Sequence, residues 1–357
     1  MQAKDKLWSS NFLEPSSPRQ SAGFHSIRRP RKVRLSAALA GCSAMLFCSV
    51  PPVGASDTPP TLSLEGTQEP TAWTILYKGQ KVMVYSFAPQ KFKPYVKELC
   101  TLKGDNILRD APHDHLHHHG LMYAIKVNEI NFWEEVSGNG VEKVVRTTRP
   151  ILGSVRVSGD EFPRATLSQV IHWLAPQDAF LPNSAAMALL VEHRTLALTI
   201  DPPEDEIALE WKSVFEVGGK TNTVTLIGAT YHGLGVRFRE DLDPIAQHSL
   251  AGLRPDLANK RQDVSVASWA SVSFAAPGPP ATLVLAGYPA NAHGVTTYFS
   301  MLTPFAYLSA TQGLDKEPLV YHAGDKFEMN YVILLCSRAE SKDRIEKRLQ
   351  AWIQRDH

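Results

Sequence analysis

Five of the thirteen histidines in this chain lie within seven residues, at positions 113, 115, 117, 118 and 119. On an extended strand, alternate side chains share a face, so the odd-numbered four would lie together, with His118 opposite. Neutral imidazole can ligate a metal ion, and it titrates near neutral pH. The segment therefore predicts a divalent-metal site on His113, His115 and His117, or a polar pocket in which His115, His117 and His118 exchange protons with a substrate.

A second candidate site is the pair Glu192 and Arg194, which are two residues apart in a predicted strand. They would share one face of the strand, with His193 on the other. A carboxylate beside a guanidinium suits recognition of sugar hydroxyls or carboxylates, although the same pair on a solvated face would be an ion pair. Glu192 is thus a candidate catalytic group and Arg194 a candidate substrate ligand.

Two further stretches contain candidate substrate-binding side chains. The glycine-rich stretch 225–239 lacks the Gly-Lys-Ser of a phosphate loop, so its glycines predict turns or bulges beside a ligand, with His232 and Arg237 in the pocket wall. The turn before the aromatic strand at 297–299 could bring Asn291 and His293 over the histidines. The sequence contains no Gly-x-Ser-x-Gly, Cys-x-x-Cys or His-Glu-x-x-His motif.

Short runs rich in β-branched and aromatic residues, bounded by Gly, Pro, Asn or Asp, predict the scaffold. They occupy 73–77, 81–87, 142–146, 153–158, 165–173, 188–200, 206–215, 222–227, 265–274, 281–287 and 327–335. Only 341–353 has a helical pattern, with Ser341 as its predicted N-cap. The fold class predicted is all-β: a large antiparallel β-sandwich, supersandwich-like, over 73–357, with a short C-terminal helix and no βαβ units.

The first 55 residues predict export. A basic run at 28–34 precedes an apolar segment of about 16 residues and small residues around Ala55, which is the order of a cleaved signal peptide. The apolar segment is shorter than a membrane span of about 20 residues, and it continues past Cys42, which disfavours lipidation there. The mature chain is expected to begin near Ser56, with a linker or a loose first strand over 56–72, and to be periplasmic or extracellular with no membrane span.

The bulk composition limits the partners. The formal net charge is +1 and 20% of residues are charged, so the clustered positive field that nucleic acid or an anionic membrane requires is not expected. Cys100 and Cys336 are the two cysteines of the body, and they are predicted to be buried thiols rather than a disulfide.

The stretch Asp114–Leu121 followed by Val127–Trp133 resembles an uncharacterised bacterial family labelled methane oxygenase-like. That family has Asp-His-Pro-His-His-Arg-Gly-Leu and then Val-Asn-Gly-x-Asp-Phe-Trp, and this chain differs from it at Leu116, His119 and Asn131. Because the oxygenase subunits are membrane-embedded and this body has no spanning segment, the chemistry in the label is not expected. The resemblance implies a sandwich like that of galactose mutarotase-like sugar enzymes, and it adds Trp133 to the candidate substrate-binding residues.

The resulting hypothesis is an exported protein that binds or transforms a saccharide in a histidine-rich groove, by epimerase-, lyase- or hydrolase-like chemistry. A metal-dependent oxidase centred on the histidines and a non-catalytic polysaccharide-binding module are the alternatives.

Overall fold

The structure is a computed structural model that describes residues 62–66, 71–89, 91–182, 184–276 and 278–353. The predicted export segment, including Cys42, and most of the predicted linker lie outside these residues. Export and an extracytoplasmic location therefore stay predictions. Among the described residues, no helix is long and apolar enough to cross a membrane.

Two large sheets and one small sheet form the body, and each strand pairing within them is antiparallel. Sheet I has the spatial order β1 (Leu62–Gly66), β2 (Ala72–Tyr77), β3 (Gln80–Ser86), β4 (Tyr95–Leu99), β5 (Leu121–Ala124), β14 (Gly233–Arg237), β20 (Tyr307–Thr311), β19 (Thr297–Met301) and β16 (Gln262–Val266).

Sheet II has the order β15 (Gln247–Leu250), β17 (Ala270–Phe274), β18 (Ala281–Gly287), β22 (Lys326–Cys336), β12 (Glu206–Val217), β11 (Ala188–Asp201), β10 (Asp160–Leu174) and β8 (Val141–Thr147), and β9 (Ile151–Val157) also pairs with β10. Sheet III has the order β21 (Leu319–His322), β13 (Thr223–Ile227), β6 (Lys126–Val127) and β7 (Ile130–Asn131). The helices are α1 (Ser184–Met187) and α2 (Lys342–Ile353), with 3₁₀ turns at Pro176–Asp178 and Glu240–Ile245.

Sheets I and II enclose one continuous hydrophobic core. Tyr123 of β5 contacts Trp173 of β10 and Phe215 of β12 at ring-centroid distances of 6.1 Å and 5.8 Å, so rings from both sheets interleave. Inward residues alternate with outward ones along the strands, as in β-sandwiches. The predicted all-β sandwich is confirmed.

The terminal helix also follows its pattern. Ile345, Leu349 and Trp352 are its buried residues, which are the positions that a helical period places on one face. The hydroxyl of Ser341 accepts the backbone N–H of Arg344 at 3.4 Å, the geometry of an N-cap. Arg348 and the Trp352 indole both donate to Glu206 of β12, at 2.8 Å and 3.1 Å, and fasten the helix to sheet II.

The stretch 56–72, read from the sequence as a linker or a loose first strand, contains β1, which pairs with β2 along its whole length. Two predictions about the scaffold need correction. The predicted strand at 265–274 is two strands: β16 ends at Val266 in sheet I, and β17 begins at Ala270 in sheet II. A period of two cannot reveal this break, because polar and apolar residues alternate in both halves. The histidine segment is a loop of consecutive turns rather than a strand.

The predicted state of the cysteines agrees with the structure. Cys100 and Cys336 are both free and buried. Burial raises the pKa of the Cys100 thiol to about 11 and also raises the pKa of Cys336.

Candidate functional site

The histidine loop, residues 110–120, is bonded at both ends to strand β14. The Arg237 N–H donates to the Gly120 carbonyl at 2.8 Å, and the Arg109 N–H donates to the Arg237 carbonyl at 3.0 Å, so both ends of the loop bond to the end of β14. A Cβ on Gly120 would lie 2.3 Å from the Val96 carbonyl oxygen. Only glycine therefore allows the loop to approach β4 this closely.

Two successive turns fold the loop. The N–H of His115 donates to the Pro112 carbonyl at 3.0 Å, and the N–H of His118 donates to the His115 carbonyl at 2.8 Å. Ala111, at φ +45°, closes the loop by donating its N–H to the His118 carbonyl. The alternation of faces that the sequence suggested needs an extended backbone, so the expected grouping of the four odd-numbered histidines is wrong.

The loop brings three of its histidines together, and two of them, His115 and His118, contact aromatic rings from other elements. We call this group the ring cluster; its members are His115, His117, His118, Trp133, His232 and Tyr307. The His118 ring stacks on His115 at 4.7 Å and on Tyr307 at 5.5 Å, and it meets His117 edge-on at 4.5 Å. Trp133 stacks on His232 at 4.9 Å and lies edge-on to His118 at 6.1 Å.

Different strands deliver the other three rings. Trp133 follows β7, where the Asn131 side-chain oxygen accepts the Trp133 N–H at 2.8 Å and turns the chain. His232 directly precedes β14, and Tyr307 opens the neighbouring β20. Gly235 lies beneath these rings: a Cβ there would be 1.9 Å from the Tyr307 hydroxyl and 3.0 Å from the Trp133 ring. The absence of a side chain at 235 therefore makes room for both.

Three imidazoles of the cluster, those of His117, His118 and His232, are neutral at pH 7. Burial, reinforced by the positive charge of Lys93, lowers the pKa of His117 to about 4. Burial and the neighbouring histidines lower the pKa of His118 to about 2, and burial lowers the pKa of His232 to about 3. Each neutral imidazole has one N–H donor and one nitrogen acceptor. These three rings thus present both donors and acceptors without a charge.

Several polar atoms of the cluster have no hydrogen-bond partner among the residues that the structure describes. They are Nδ1 of His118, Nδ1 of His232 and Nε1 of Trp133. Buried polar groups are ordinarily bonded, so three such atoms in one cluster indicate that it is built to bond something else. His115 and His117 are only partly buried and form its accessible side.

His119 is not a member of the cluster but fixes the loop beneath it. Its Nδ1 lies 2.5 Å from an oxygen of Asp110 and its Nε2 lies 2.9 Å from an oxygen of Glu135, while its ring stacks on Tyr95 at 4.0 Å. Both ring nitrogens are therefore bonded to carboxyl groups. We call His119, Asp110, Glu135 and Lys93 the His119 clamp.

The clamp holds its carboxylates ionised. Burial by itself would raise the pKa of Glu135, but the hydrogen bond from His119 and the charge of Lys93 lower it to about 2. The Asp110 pKa is likewise lowered, because the bond and charge of His119 outweigh burial. Lys93, whose side chain is fully buried, donates to Glu135 and to the Trp133 carbonyl, both at 2.9 Å. The clamp therefore connects the loop to the backbone that carries Trp133.

Arg237 contacts the chain segment that carries Tyr307, and its contacts are with residues outside the ring cluster. The guanidinium carbon lies 3.8 Å from the ring centroid of Phe305, and Nη1 donates to the Ala306 carbonyl at 3.2 Å and to Asp243 at 3.4 Å. These contacts fix the chain immediately before Tyr307. Substrate binding by Arg237 stays a prediction, whereas its bracing contacts are part of the fold.

The predicted pair Glu192 and Arg194 shares one strand face as expected, but that face is the interior. Arg194 donates to Glu192 at 2.7 Å and 2.9 Å and lies 4.4 Å over the Trp211 ring. Trp173 and Ser213 supply the remaining bonds to the Glu192 carboxylate. Glu192 is fully buried and Arg194 is 1% exposed, so the pair ties strands of sheet II together and offers no open face to a substrate.

The other predicted residues are placed elsewhere. Asn291 donates to the carbonyl of Asn330 at 2.9 Å and accepts its N–H at 2.6 Å, which locks its turn to β22. His293 bonds the Gln312 carbonyl and, at 3.0 Å, Glu317. His113 is exposed. Throughout the described ranges, no group of three or more His, Cys, Asp or Glu side chains is arranged to hold a metal ion.

Sequence reasoning missed Tyr307, Glu135 and Lys93 as parts of the site. Tyr307 joins the cluster only through the pairing of β14 with β20, which no local pattern predicts. Glu135 follows Trp133 closely in the chain, so a search for acids beside the candidate rings could have found it.

The pH dependence of stability tests the neutral state of the cluster. Because the folded pKa of His118 lies below its ordinary 6.5, its contribution is complete above pH 6.5 and is lost as the pH falls below that value. The wild-type chain should lose up to about 1.4 kcal/mol more stability per pH unit between pH 6 and 4.5 than His118→Gln. Urea unfolding at several pH values measures this slope.

The exposed His193 supplies the control, since His193→Gln should keep the wild-type slope. Burial raises the pKa of Asp243 to about 6, which acts in the opposite direction, but it does so in all three proteins and cancels from the difference. Parallel stability curves for wild type and His118→Gln would contradict the neutral cluster.

Comparison with known proteins gives a family and no activity. A family model described as "Family of unknown function (DUF6807)" matches residues 72–350. No methane oxygenase family matches, so the resemblance drawn from the histidine segment is wrong. Among curated proteins, none matches.

Solved structures similar to this chain include α-galactosidase AgaB of glycoside hydrolase family 36 from Geobacillus stearothermophilus, with a TM-score of 0.45 and 10% identity over 78% of this chain and 41% of that one. For the α-galactosidase from Lactobacillus brevis, the TM-score is 0.39 and the identity is 9%, over 78% of this chain and 40% of that one. For the galactosidase domain of α-galactosidase-sucrose kinase AgaSK, the TM-score is 0.44 and the identity is 10%, over 77% of this chain and 42% of that one. The chain therefore spans about two fifths of the length of these structures, and scores this low say nothing of its substrate.

Proposed function

Because the chain belongs to DUF6807, a family of unknown function, we propose its function from its own side chains: it binds an uncharged saccharide at the ring cluster. One observation carries the proposal. Neutral imidazoles and aromatic rings lie together, and three of their polar atoms have no partner within the described part of the chain.

The chemistry of the cluster matches that of a sugar. A saccharide presents hydroxyl groups, which both donate and accept hydrogen bonds, and C–H faces, which pack on aromatic rings. A neutral imidazole complements hydroxyl groups without the desolvation cost of a charge. A strongly anionic ligand would instead need unpaired cations, and Lys93 and Arg237 are already bonded to Glu135 and Asp243.

The same residues could also transfer protons to or from a bound sugar. His115 and His117 form the accessible side of the cluster, and a neutral imidazole can accept a proton from a sugar hydroxyl. The lowered pKa of His117, about 4, makes it a weak base and its protonated form a strong acid. Binding is therefore the primary proposal, and exchange of sugar anomers is the reaction tested beside it.

The test is ligand-observed NMR with D-galactose, D-glucose and their methyl glycosides. We expect saturable binding that weakens at least about tenfold in His117→Gln and Tyr307→Phe, because each loses a hydrogen bond to a buried hydroxyl. His193→Gln, on the outer face of β11, is the matched control and should bind as wild type does.

The same spectra separate binding from turnover, because faster exchange between anomers of the free sugars would show catalysis. Binding without faster exchange would make the protein a binding module. Failure of every sugar to bind, or equal binding by wild type and both cluster variants, would refute the proposal.

A further inference from the structure

A second cavity lies away from the ring cluster, at an open edge of the sandwich. It has a volume of about 570 Å³ and lies between the connection from β3 to β4 and the edge strand β8. Its apolar lining includes Phe87, Phe92, Pro94 and Val144. Phe180 also lines it and is 94% exposed, so the apolar lining of the cavity extends to the surface.

The charged lining of this cavity is mainly positive. The cavity is lined by Lys91, Lys143 and Arg146. Lys143 donates a hydrogen bond to the Ala179 carbonyl at 3.1 Å. Because a carbonyl is neutral, this bond leaves the positive charge of Lys143 uncompensated. Arg146 is exposed, and Lys91 is partly buried. Cations beside an apolar surface favour a ligand with both an anionic group and an apolar body.

Glu142 is the one acidic residue among the described residues that line the cavity, and it does not cancel this charge. The side chain is fully buried. Its Oε2 accepts a bond from Arg194 at 3.4 Å, whereas Oε1 has no partner in the described ranges. Burial raises the pKa of Glu142 well above its ordinary value. Its ion-pair partner is Arg194 and not Lys91, Lys143 or Arg146.

We propose that this cavity binds an amphipathic carboxylate, with its apolar body against Phe87, Phe92 and Val144 and its carboxylate toward Arg146 and Lys143. The volume suits one ring with a short chain. The site is separate from the ring cluster, although Lys93 lines this cavity and also bonds Glu135 of the His119 clamp.

The experiment is isothermal titration of the full chain at pH 7.5 with 3-phenylpropionate and with its neutral amide. The acid should bind saturably and at least about fivefold more tightly than the amide, since only the acid gains from the cations. Glucuronate, which has the carboxylate without the apolar body, should bind more weakly than 3-phenylpropionate.

Charge reversal locates the site. Arg146→Glu should weaken binding of 3-phenylpropionate at least about fivefold. Arg156→Glu is the matched control, because Arg156 is equally exposed on the nearby strand β9 but does not line the cavity; it should bind within about twofold of wild type. Phe180→Ala should also weaken binding, and this exposed position gives little risk to folding.

Three results would overturn the proposal. They are equal binding of acid and amide, equal binding by Arg146→Glu and Arg156→Glu, and no saturable binding of the acid below roughly 10 mM. Tighter binding of glucuronate than of 3-phenylpropionate would overturn the apolar part of the ligand assignment.

Discussion

Gly235→Ala should destabilise the chain by about 2 to 3 kcal/mol and abolish saccharide binding at the ring cluster. The added Cβ would lie 1.9 Å from the Tyr307 hydroxyl and 3.0 Å from Trp133. Tyr307 is 2% exposed, so its ring cannot swing into solvent without leaving the core. Binding is measured by the NMR titration with D-galactose, and stability by urea unfolding.

Gly153→Ala is the matched control for this substitution. Gly153 lies in β9, a Cβ there meets nothing within 4 Å, and its φ is not positive, so stability should change by no more than about 0.5 kcal/mol. The double variant Gly235→Ala/Tyr307→Phe should recover part of the lost stability, because it removes the atom nearest the new Cβ. Equal stability of the two alanine variants would contradict this role of Gly235.

His119→Leu should destabilise the chain by about 3 to 5 kcal/mol, the cost of leaving buried charges without their partner. Asp110 and Glu135 both lose a bond to the His119 ring, although Glu135 keeps Lys93 and Asp110 keeps the Tyr95 hydroxyl. The histidine loop should then lose its fixed conformation. The measurement is urea unfolding at pH 7.5, with loss of the saccharide-induced NMR changes as a second readout.

His113→Leu lies in the same loop and is the control, because His113 is exposed; its effect should be within about 0.5 kcal/mol. Adding Asp110→Asn to His119→Leu should restore part of the stability, since it removes one uncompensated charge. If the two leucine variants were equally stable, the clamp would be an ordinary surface contact.

The sequence predicts the layers of this fold better than it predicts the site. Strands such as β11 and β12 are long runs rich in apolar residues, which predicts their existence, although each is buried on both faces over part of its length. The helix α2 is predictable from the helical spacing of its apolar residues. By contrast, β16 and β17 read as one strand, because nothing in 265–274 records that the two halves belong to different sheets.

The site departs from prediction where local conformation decides which side chains meet. His115, His117 and His118 were candidates from their number alone, and the loop does bring them together, but through turns closed by the Pro112 and His115 carbonyls. Trp133 and His232 were also candidates. Tyr307 could not be found, because its position depends on a pairing between strands far apart in the chain.

Glu192 and Arg194 illustrate the opposite error. Their spacing correctly predicts a shared face, but spacing cannot say whether that face meets solvent or the core. Trp173, Trp211 and Ser213 complete their bonding, and each of these residues looks like ordinary strand sequence. A charged pair in the interior is therefore indistinguishable, in one sequence, from a charged pair in a binding groove.

The two buried thiols lie in different layers: Cys100 follows β4 of sheet I, and Cys336 ends β22 of sheet II. A thiol that is both shielded and protonated reacts with an alkylating reagent only when its surroundings open. The rate of alkylation at each cysteine, measured by peptide mass mapping, therefore reports how often the sheet around that cysteine opens. Equal rates at both cysteines would mean that the sandwich opens as one cooperative unit, and unequal rates would identify the layer that opens first.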